Sequence, residues 1–173
     1  DKEVSEGNRP FVYTFYDRIP GKKRTGMTDE ADDELLKLWK EEWTQAGWEP
    51  KVLTLEQAKK HPDFEAVNAL MDKMPFGYYD RLCFLRWLAM VVVGGGWMVD
   101  YDTFPLADFA NEGLPNDGKL TIHDFHVPSL VSGEASEWQR AADLIVENAE
   151  DHRGDDFWSD MLAVHSLFGT KDD

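Results

Sequence analysis

Residues 79–106 are YDRLCFLRWLAMVVVGGGWMVDYDTFPL, and the expected architecture of the chain follows from this segment. It predicts a helix over 79–93 that is apolar nearly all round, then three glycines, then a strand at 97–99. A helix that is apolar on every side is a buried one, so the segment predicts the centre of the domain. The strand leads into Asp100-Tyr101-Asp102, and Pro105 then excludes further pairing in the middle of a sheet.

The rest of the chain alternates between strand and helix patterns. On the amino-terminal side the predicted elements are a central strand at 11–16, a helix from the Thr28 cap to Gly47, a strand at 49–53, a short helix opened by a Thr54 capping box, and a helix at 64–74. On the carboxyl-terminal side they are strands at 119–126 and 129–131 and helices at 137–148 and 157–168. The alternation predicts one α/β domain over residues 1–173, with a mostly parallel central sheet flanked by helices.

Composition excludes several classes of partner. Thirty-four acidic against eighteen basic side chains give a net charge of -16, which disfavours nucleic acid. An anionic ligand would therefore need a divalent metal and an arginine to offset the repulsion. Cys83 is the only cysteine, so neither an intrachain disulfide nor a multi-thiolate zinc site is possible, and both the cytoplasm and the secretory lumen remain open. The apolar run Leu82–Val93 is shorter than the roughly 20 residues of a transmembrane helix, so no membrane span is predicted.

Asp100 and Asp102 are the first candidate site residues. On an extended strand two residues that are two apart point to the same face, so both carboxylates would lie close together. Such a pair requires either a raised pKa on one member or a hard cation, and oxygen ligands suit Mg²⁺ or Mn²⁺ with a substrate phosphate. The alternative is a solvated acidic turn, which is common in an acidic protein.

Arg86 is the only charge in the apolar run and would cost several kcal/mol to bury unpaired. It is predicted to form a structural ion pair with a carboxylate such as Asp80 or Asp100, to orient the Asp pair, or to reach a phosphate or sugar of the ligand. The glycines 94–96 permit left-handed dihedrals, so the backbone at Gly95 could approach the ligand over Asp100; the alternative is a helix stop and a tight turn.

Taken together, residues 79–106 resemble the Asp-x-Asp sugar-binding region of the glycosyltransferase families that include yeast Golgi mannosyltransferases, bacterial capsular-polysaccharide transferases and sugar-transferring clostridial toxins. Those families have an Arg on a helix, then Gly-Gly eight residues later, an aromatic residue, a short strand and Asp-x-Asp. The matching residues here are Arg86, Gly94-Gly95, Trp97 and Asp100-Tyr101-Asp102, with Gly96 as an addition. The families usually have an Asp three residues before the Arg, where this chain has Cys83.

The resemblance implies a GT-A fold and transfer of a sugar from a nucleoside-diphosphate sugar to a glycan or other hydroxyl acceptor, with Mn²⁺ or Mg²⁺ and with retention of anomeric configuration. Asp102 would ligate the metal, and Asp100 would help to hold it and face the ribose or sugar of the donor. Arg86 would contact the donor sugar or diphosphate, and Asp80 would replace the acid missing at Cys83. Residues 9–106 would form the nucleotide-sugar half and 107–173 the acceptor half.

Other candidates are softer, and some of them depend on the resemblance. The base would lie at the end of the first strand, against Thr14, Phe15 or Tyr16, unless these side chains belong to the core. Asp160 would serve at the acceptor site as a base or electrostatic stabiliser, or is simply a first-turn helix acid. His123 and His126 are acceptor-cleft candidates, and His165 is either a metal ligand or structural. The acids of residues 29–34 are expected to be a solvated helix start.

Two other functions remain open at this level. A metal-dependent nucleotidyltransferase or phosphohydrolase would use the same Asp pair on a phosphate and would need no acceptor sugar. A catalytically inactive sugar-nucleotide or carbohydrate-binding domain is favoured by Cys83 and by the small size of the chain for this fold.

Overall fold

The computed structural model describes residues 9–21, 26–124 and 127–169, which form a five-stranded sheet flanked by helices. The strands are β1 (Phe11–Phe15), β2 (Glu49–Leu53), β3 (Gly95–Val99), β4 (Thr121–Ile122) and β5 (Leu130–Glu134). The α-helices are α1 (Asp29–Gln45), α2 (Leu55–Ala58), α3 (Phe64–Met71), α4 (Tyr78–Val92), α5 (Ala135–Asp151) and α6 (Asp160–Phe168). No helix in these described ranges is long and apolar enough to cross a bilayer.

The sheet is mixed, and the prediction of a mostly parallel sheet is wrong. Its order is β2-β1-β3-β5-β4, in which β1 pairs in parallel with β2 and β3, while β5 runs antiparallel to β3 and β4. Parallel neighbours require a crossover, usually a helix. The described part of the connection from β3 to β5 contains a 3₁₀ turn at Asn116–Gly118 and the short β4 but no α-helix, so β5 returns antiparallel.

Alternation along β1 and β3 divides the core between the two faces of the sheet. Val12 and Trp97 pack with α1 in a cluster rich in tryptophan, whereas Tyr13 and Met98 belong to the larger core formed with α3, α4, α5 and α6. Because β1 and β3 are parallel neighbours, their carboxyl ends meet at one edge of the sheet. The chain segments that follow these two strands therefore lie together.

Local signals explain the helix starts. The Thr28 side chain accepts a hydrogen bond from Ala31 N at 3.2 Å, and the Thr54 capping box is present as predicted. The glycines after α4 do more than end the helix, because Gly95 and Gly96 are the first two residues of β3. A Cβ at Gly95 would lie 2.8 Å from both Ala135 N and Trp138 Cδ1, so this glycine allows α5 to pack closely on the strand.

Candidate functional site

A cavity of ≈ 170 Å³ lies at the carboxyl ends of β1 and β3, where α4 and the start of α1 meet the sheet. Four carboxylates and one guanidinium line it, together with aromatic and apolar groups. The lining residues are Phe15, Tyr16, Asp17, Ile19, Asp32, Tyr79, Leu82, Cys83, Arg86, Asp100, Tyr101 and Asp102. Five of the sequence-predicted site residues meet here: Phe15, Tyr16, Arg86, Asp100 and Asp102.

Arg86 is held between two carboxylates. Its NH1 donates to Asp100 Oδ1 at 2.8 Å, while Nε and NH2 donate to Asp160 Oδ2 at 3.0 and 2.7 Å. Asp160 is 3% exposed and also accepts from Trp87 Nε1 at 3.1 Å. The predicted ion pair of Arg86 is confirmed, with Asp100 rather than Asp80 as the partner, and Asp160 is a second partner that the sequence did not indicate. We call Arg86, Asp100 and Asp160 the ion cluster.

The electrostatics of the ion cluster result from burial and from these short contacts. Burial lowers the pKa of the Arg86 guanidinium, but the carboxylates of Asp160 and Asp100 outweigh it and raise that pKa above its usual value. Burial raises the pKa of Asp100, which Arg86 opposes and the Asp102 charge reinforces. Arg86 therefore stays charged at neutral pH and holds one oxygen of Asp100 in place.

The Asp-x-Asp segment is a turn, so the expectation that both side chains leave one face of an extended strand is wrong. The strand β3 ends at Val99, and Thr103 N donates back to Asp100 O at 2.9 Å. Asp100 N donates to Ser129 O at 2.8 Å, which ties the turn to the chain before β5. Asp100 and Asp102 still line the same cavity, and Asp102 is the exposed member.

Asp32 is a cavity residue that the sequence reasoning missed. The acids of residues 29–34 were expected to be solvated, and for Asp32 that is wrong, because it is 3% exposed. It accepts hydrogen bonds from Tyr16 Oη at 2.8 Å and Tyr101 Oη at 3.4 Å. The signal was its spacing: Asp32 precedes Leu35 by three residues and Trp39 by seven, which places it on the buried stripe of α1.

Cys83 lines the cavity on α4, one turn before Arg86. Burial raises the pKa of its thiol to about 12, with the Asp160 charge contributing, so the thiol is protonated at neutral pH and is a poor nucleophile. Asp80, expected to substitute for an acid at this position, is 8% exposed and is absent from the cavity lining. Its carboxylate accepts from Gly77 N at 3.3 Å and caps α4.

Three other predicted donor or catalytic residues are outside the cavity wall. Thr14 is buried within β1, and its Oγ1 has no hydrogen-bond partner among the described residues. Gly95 begins β3, at the end opposite to Asp100. Asp160 lies behind Arg86, on the first turn of α6, so any effect it has on a ligand would pass through Arg86.

The predicted histidines do not join this site. His123 stacks on Trp97 with ring centroids 5.2 Å apart and lines a separate cavity of ≈ 330 Å³. Burial lowers the pKa of His123. His165 lines a third cavity with Arg140 and Phe168, and His126 lies outside the described residues.

The carboxylates can be compared with what a divalent metal requires. The described residues contain no group of three or more His, Cys, Asp or Glu side chains that could hold a metal ion. Mg²⁺ and similar ions are commonly bound by one or two carboxylates and complete their shell with substrate phosphate and water. Asp102, which is exposed, and Asp100, one oxygen of which Arg86 holds, fit that second mode.

Comparison with known proteins gives a family match. The model of a family described as a domain of unknown function, DUF8765, matches residues 5–153, which is most of the chain. No curated protein and no solved structure matches. The matched range includes every residue that lines the cavity and ends before Asp160.

Proposed function

We propose that the chain, which belongs to the DUF8765 family, is a metal-dependent glycosyltransferase of the GT-A fold. It would move a sugar from a nucleoside-diphosphate sugar to a hydroxyl of a glycan or another acceptor. One observation carries the proposal: Arg86, paired with Asp100, lines the same cavity as Asp102 at the carboxyl ends of two parallel strands. The resemblance of residues 79–106 to sugar-binding regions concerns these same three residues.

The position of the cavity supports a ligand site. In open α/β sheets, ligands bind beyond the carboxyl ends of the strands. A buried ion cluster costs desolvation energy that apolar packing would avoid, and such clusters with perturbed pKa values concentrate at functional sites. Asp160 is 3% exposed and shares one oxygen between Arg86 and Trp87, so the arrangement holds the guanidinium rigidly at the cavity wall.

The charge of the wall determines how a diphosphate would bind. Asp17, Asp32, Asp100 and Asp102 oppose the single guanidinium of Arg86 in the described lining. A diphosphate would be repelled by these carboxylates unless a divalent cation bridged the two, so donor affinity should depend on the metal. Asp100 and Asp102 would hold such an ion, which would neutralise charge on the departing diphosphate. Arg86, permanently charged, would contribute a second cation to the same oxygens.

The size of the cavity limits what it encloses. Pockets for whole drug-sized ligands measure about 300–1,000 Å³. At ≈ 170 Å³ the cavity would enclose one part of a nucleotide sugar, with the remainder over the rim.

A second candidate is an inactive sugar-nucleotide-binding domain. The observation that favours it is Cys83, a protonated thiol on the cavity wall at the position where the resembling families usually have a carboxylate. Such a domain would bind the donor with metal and would not turn it over. A nucleotidyltransferase or phosphohydrolase would instead act on the phosphate without any acceptor.

The test is thermal unfolding of the protein with a panel of nucleoside-diphosphate sugars, with Mn²⁺ and with a chelator. A ligand that binds the folded state alone raises the melting temperature by mass action. We expect a rise for one nucleotide family that requires Mn²⁺. The Asp102→Asn variant should lose it, while Asp151→Asn, which removes the same charge from an exposed position at the end of α5, should keep it. An unchanged shift in Asp102→Asn, or no shift with any donor, would contradict the proposal.

A further inference from the structure

The cavity beside His165 measures ≈ 420 Å³ and lies where the short β4 meets the start of α5 and the end of α6. It shares no lining residue with the cavity at the ends of β1 and β3. In that cavity, in the one beside His123 and in a fourth between α3 and α5, acidic residues outnumber lysines and arginines. Here two cationic residues, Lys119 and Arg140, accompany one acidic residue, Glu137. We call this cavity the cationic pocket.

Glu137 and Phe168 hold the Arg140 guanidinium in one orientation. Nε and NH2 of Arg140 donate to the two carboxylate oxygens of Glu137 at 3.0 and 2.8 Å, and the guanidinium carbon lies 5.9 Å from the Phe168 ring centroid. Glu137 is fixed in turn, because Leu120 N donates to its Oε2 at 3.1 Å. A guanidinium has five N–H donors, and acceptors in the described part of the chain use two of them. The remaining donors, on NH1 and NH2, can bind a ligand.

Lys119 adds a second positive charge to the cationic pocket. Its charge contributes to the lowered pKa of Glu137, so the ammonium group lies within electrostatic range of that carboxylate. Two cations against one carboxylate leave one surplus positive charge, which balances a monoanion. A phosphate monoester carries a charge of about -1.5 to -2, which is more than the pocket offsets. The charge balance therefore favours a carboxylate over a phosphate.

The rest of the wall is apolar. Leu120, Ile122 and Phe168 are half-buried, and Val164 is buried. Val164 belongs to the main core and the other three pack against it, so this surface is fixed by the fold. The volume of ≈ 420 Å³ is within the range of about 300–1,000 Å³ for pockets that hold small organic ligands. The pocket thus suits an anion that has an apolar body.

We infer that the cationic pocket is a second binding site, for a small monocarboxylate with an apolar body. The carboxylate accepts hydrogen bonds from NH1 and NH2 of Arg140, whose planar fork matches its geometry. Lys119 contributes a point charge, and the apolar body covers Phe168 and Val164. The inference does not rest on the proposed function, because this pocket is separate from the cavity that would bind a nucleotide sugar.

A protein-detected NMR titration with three probes tests the inference. The probes are 4-phenylbutyrate, 4-phenylbutanamide, which has the same body without the charge, and acetate, which has the charge without the body. With 4-phenylbutyrate we expect saturable shifts of the backbone amide signals of Leu120, Arg140 and Phe168. The amide should bind about tenfold more weakly because it loses the hydrogen bonds between charged groups. Acetate should bind more weakly by at least the same factor because it buries no ring.

Two arginines of similar setting provide the variant and its control. Arg140 and Arg153 are each paired with a glutamate three residues earlier, and their side chains are 49% and 48% exposed, but Arg153 is outside the pocket lining. Arg140→Met should bind 4-phenylbutyrate about tenfold more weakly, and Arg153→Met should bind it as the wild type does. Arg140→Lys keeps the charge without the fork and should fall between the two. Lys119→Met should show a smaller loss and carries the test if Arg140→Met folds poorly.

Several results would overturn the inference. Equal affinities of the wild type for 4-phenylbutyrate and its amide would mean that the cations of the pocket take no part in binding. Equal losses in Arg140→Met and Arg153→Met would mean that the probe responds to overall charge rather than to this site. Saturable shifts confined to residues outside the pocket, or no saturable shift with 4-phenylbutyrate, would also contradict it. None of these results bears on nucleotide binding at the other cavity, so the proposed function is tested separately.

Discussion

The two sides of the sheet differ in whether charged groups are buried with the aromatic ones. On the α1 face, Trp39, Trp43, Trp48 and Trp97 form a tryptophan cluster whose successive ring centroids are 5.8 to 6.2 Å apart. At the α4 side, the ion cluster buries a guanidinium against two carboxylates. Apolar burial stabilises a fold wherever it occurs, at roughly 25 cal/mol per Å². A buried ion cluster recovers its desolvation cost only through complete pairing, so packing alone does not account for it.

The buried indole donors of the tryptophan cluster and of the ion cluster also differ in their hydrogen bonding. In the tryptophan cluster, the Nε1 groups of Trp39 and Trp48 are buried and have no hydrogen-bond partner among the described residues. Beside the ion cluster, Trp87 Nε1 donates to Asp160, which also accepts from Arg86. Two indoles of the tryptophan cluster are thus without a partner among the described residues, whereas the indole beside Arg86 is paired. This pairing agrees with the proposed role of Arg86 in ligand binding.

The largest expected effect comes from breaking the ion cluster. Arg86→Met leaves Asp160 buried without a cation, and removing one partner of a buried pair costs about 3–5 kcal/mol. Urea unfolding should show that loss directly. The double variant Arg86→Met/Asp160→Asn should recover most of the stability, because the uncompensated charge is gone, and should still fail to bind donor.

The double variant decides whether the ion cluster serves binding or stability. Recovery of donor binding together with stability would mean that Arg86 does nothing for the ligand beyond supporting the fold. A loss of less than about 1 kcal/mol in Arg86→Met, on the scale of an exposed ion pair, would mean that the pair is solvated rather than buried.

A smaller difference in the free energy of unfolding is expected between substitutions of two members of the tryptophan cluster. Trp43 Nε1 donates to Thr103 O at 3.1 Å, whereas Trp48 Nε1 has no partner within the described part of the chain. Both indoles are almost fully buried, so Trp43→Phe and Trp48→Phe lose similar packing. Trp43→Phe should cost about 1 kcal/mol more in free energy of unfolding, since it also leaves the Thr103 carbonyl without its donor.

Chemical denaturation of both variants checks that difference, and donor titration provides the control. Neither residue lines the cavity, so the folded fraction of each variant should bind donor as the wild type does. Equal costs for the two substitutions would show that the Trp43 hydrogen bond adds nothing to stability.

Local sequence signals predicted the elements better than the connections. The bounds of β1, α1 and β2, and the capping box at Thr54, follow from residues close in sequence, and the structure has them nearly where expected. The direction of β5 depends on the path of the chain between β3 and β5, and the strand predicted there at 119–126 gives no information on that direction. That is why a parallel strand was expected and an antiparallel one is found.

The sequence likewise predicted only part of the candidate site. Arg86 and Asp100 are fourteen residues apart and share one recognisable segment, so Asp100 was one of the two partners expected for Arg86, the other being Asp80. Asp160 is 74 residues from Arg86, and Asp32 is 69 residues from Tyr101, and no local pattern links such distant positions. The fold brings them together because β1 and β3 end at one edge, near the starts of α1 and α6.

The smallest expected effect concerns a solvated ion pair, as a contrast to the buried one. Glu137 accepts from Arg140 and from Leu120 N, and these contacts lower its pKa to about 2 from 4.5. The unfolded state then binds more protons below pH 4.5, so stability is present above that pH and is lost as the pH falls toward 2. Because solvent screens this pair, the loss of unfolding free energy should be well below the free energy that the pKa shift of Glu137 alone would imply.

Unfolding of the wild type and of Glu137→Gln between about pH 5 and pH 3 checks this effect, in a range set by the reference pKa of glutamate. The variant should show a flatter decline in stability with acid, by less than about 1 kcal/mol. Identical pH profiles would show that the pair contributes nothing, and a larger change would mean that Glu137 behaves as a buried group.

Release of nucleoside diphosphate tests most directly whether Asp102 acts with Arg86 and Asp100 on a nucleotide-sugar donor. The donor found by thermal unfolding would be incubated with Mn²⁺ and an acceptor mixture, and the released diphosphate measured over time. We expect release by the wild type and by Asp151→Asn, and at least about a hundredfold slower release by Asp102→Asn, which is roughly 2.7 kcal/mol of lost stabilisation. Equal rates with Asp102→Asn, or donor binding without any release, would contradict the proposed glycosyl transfer.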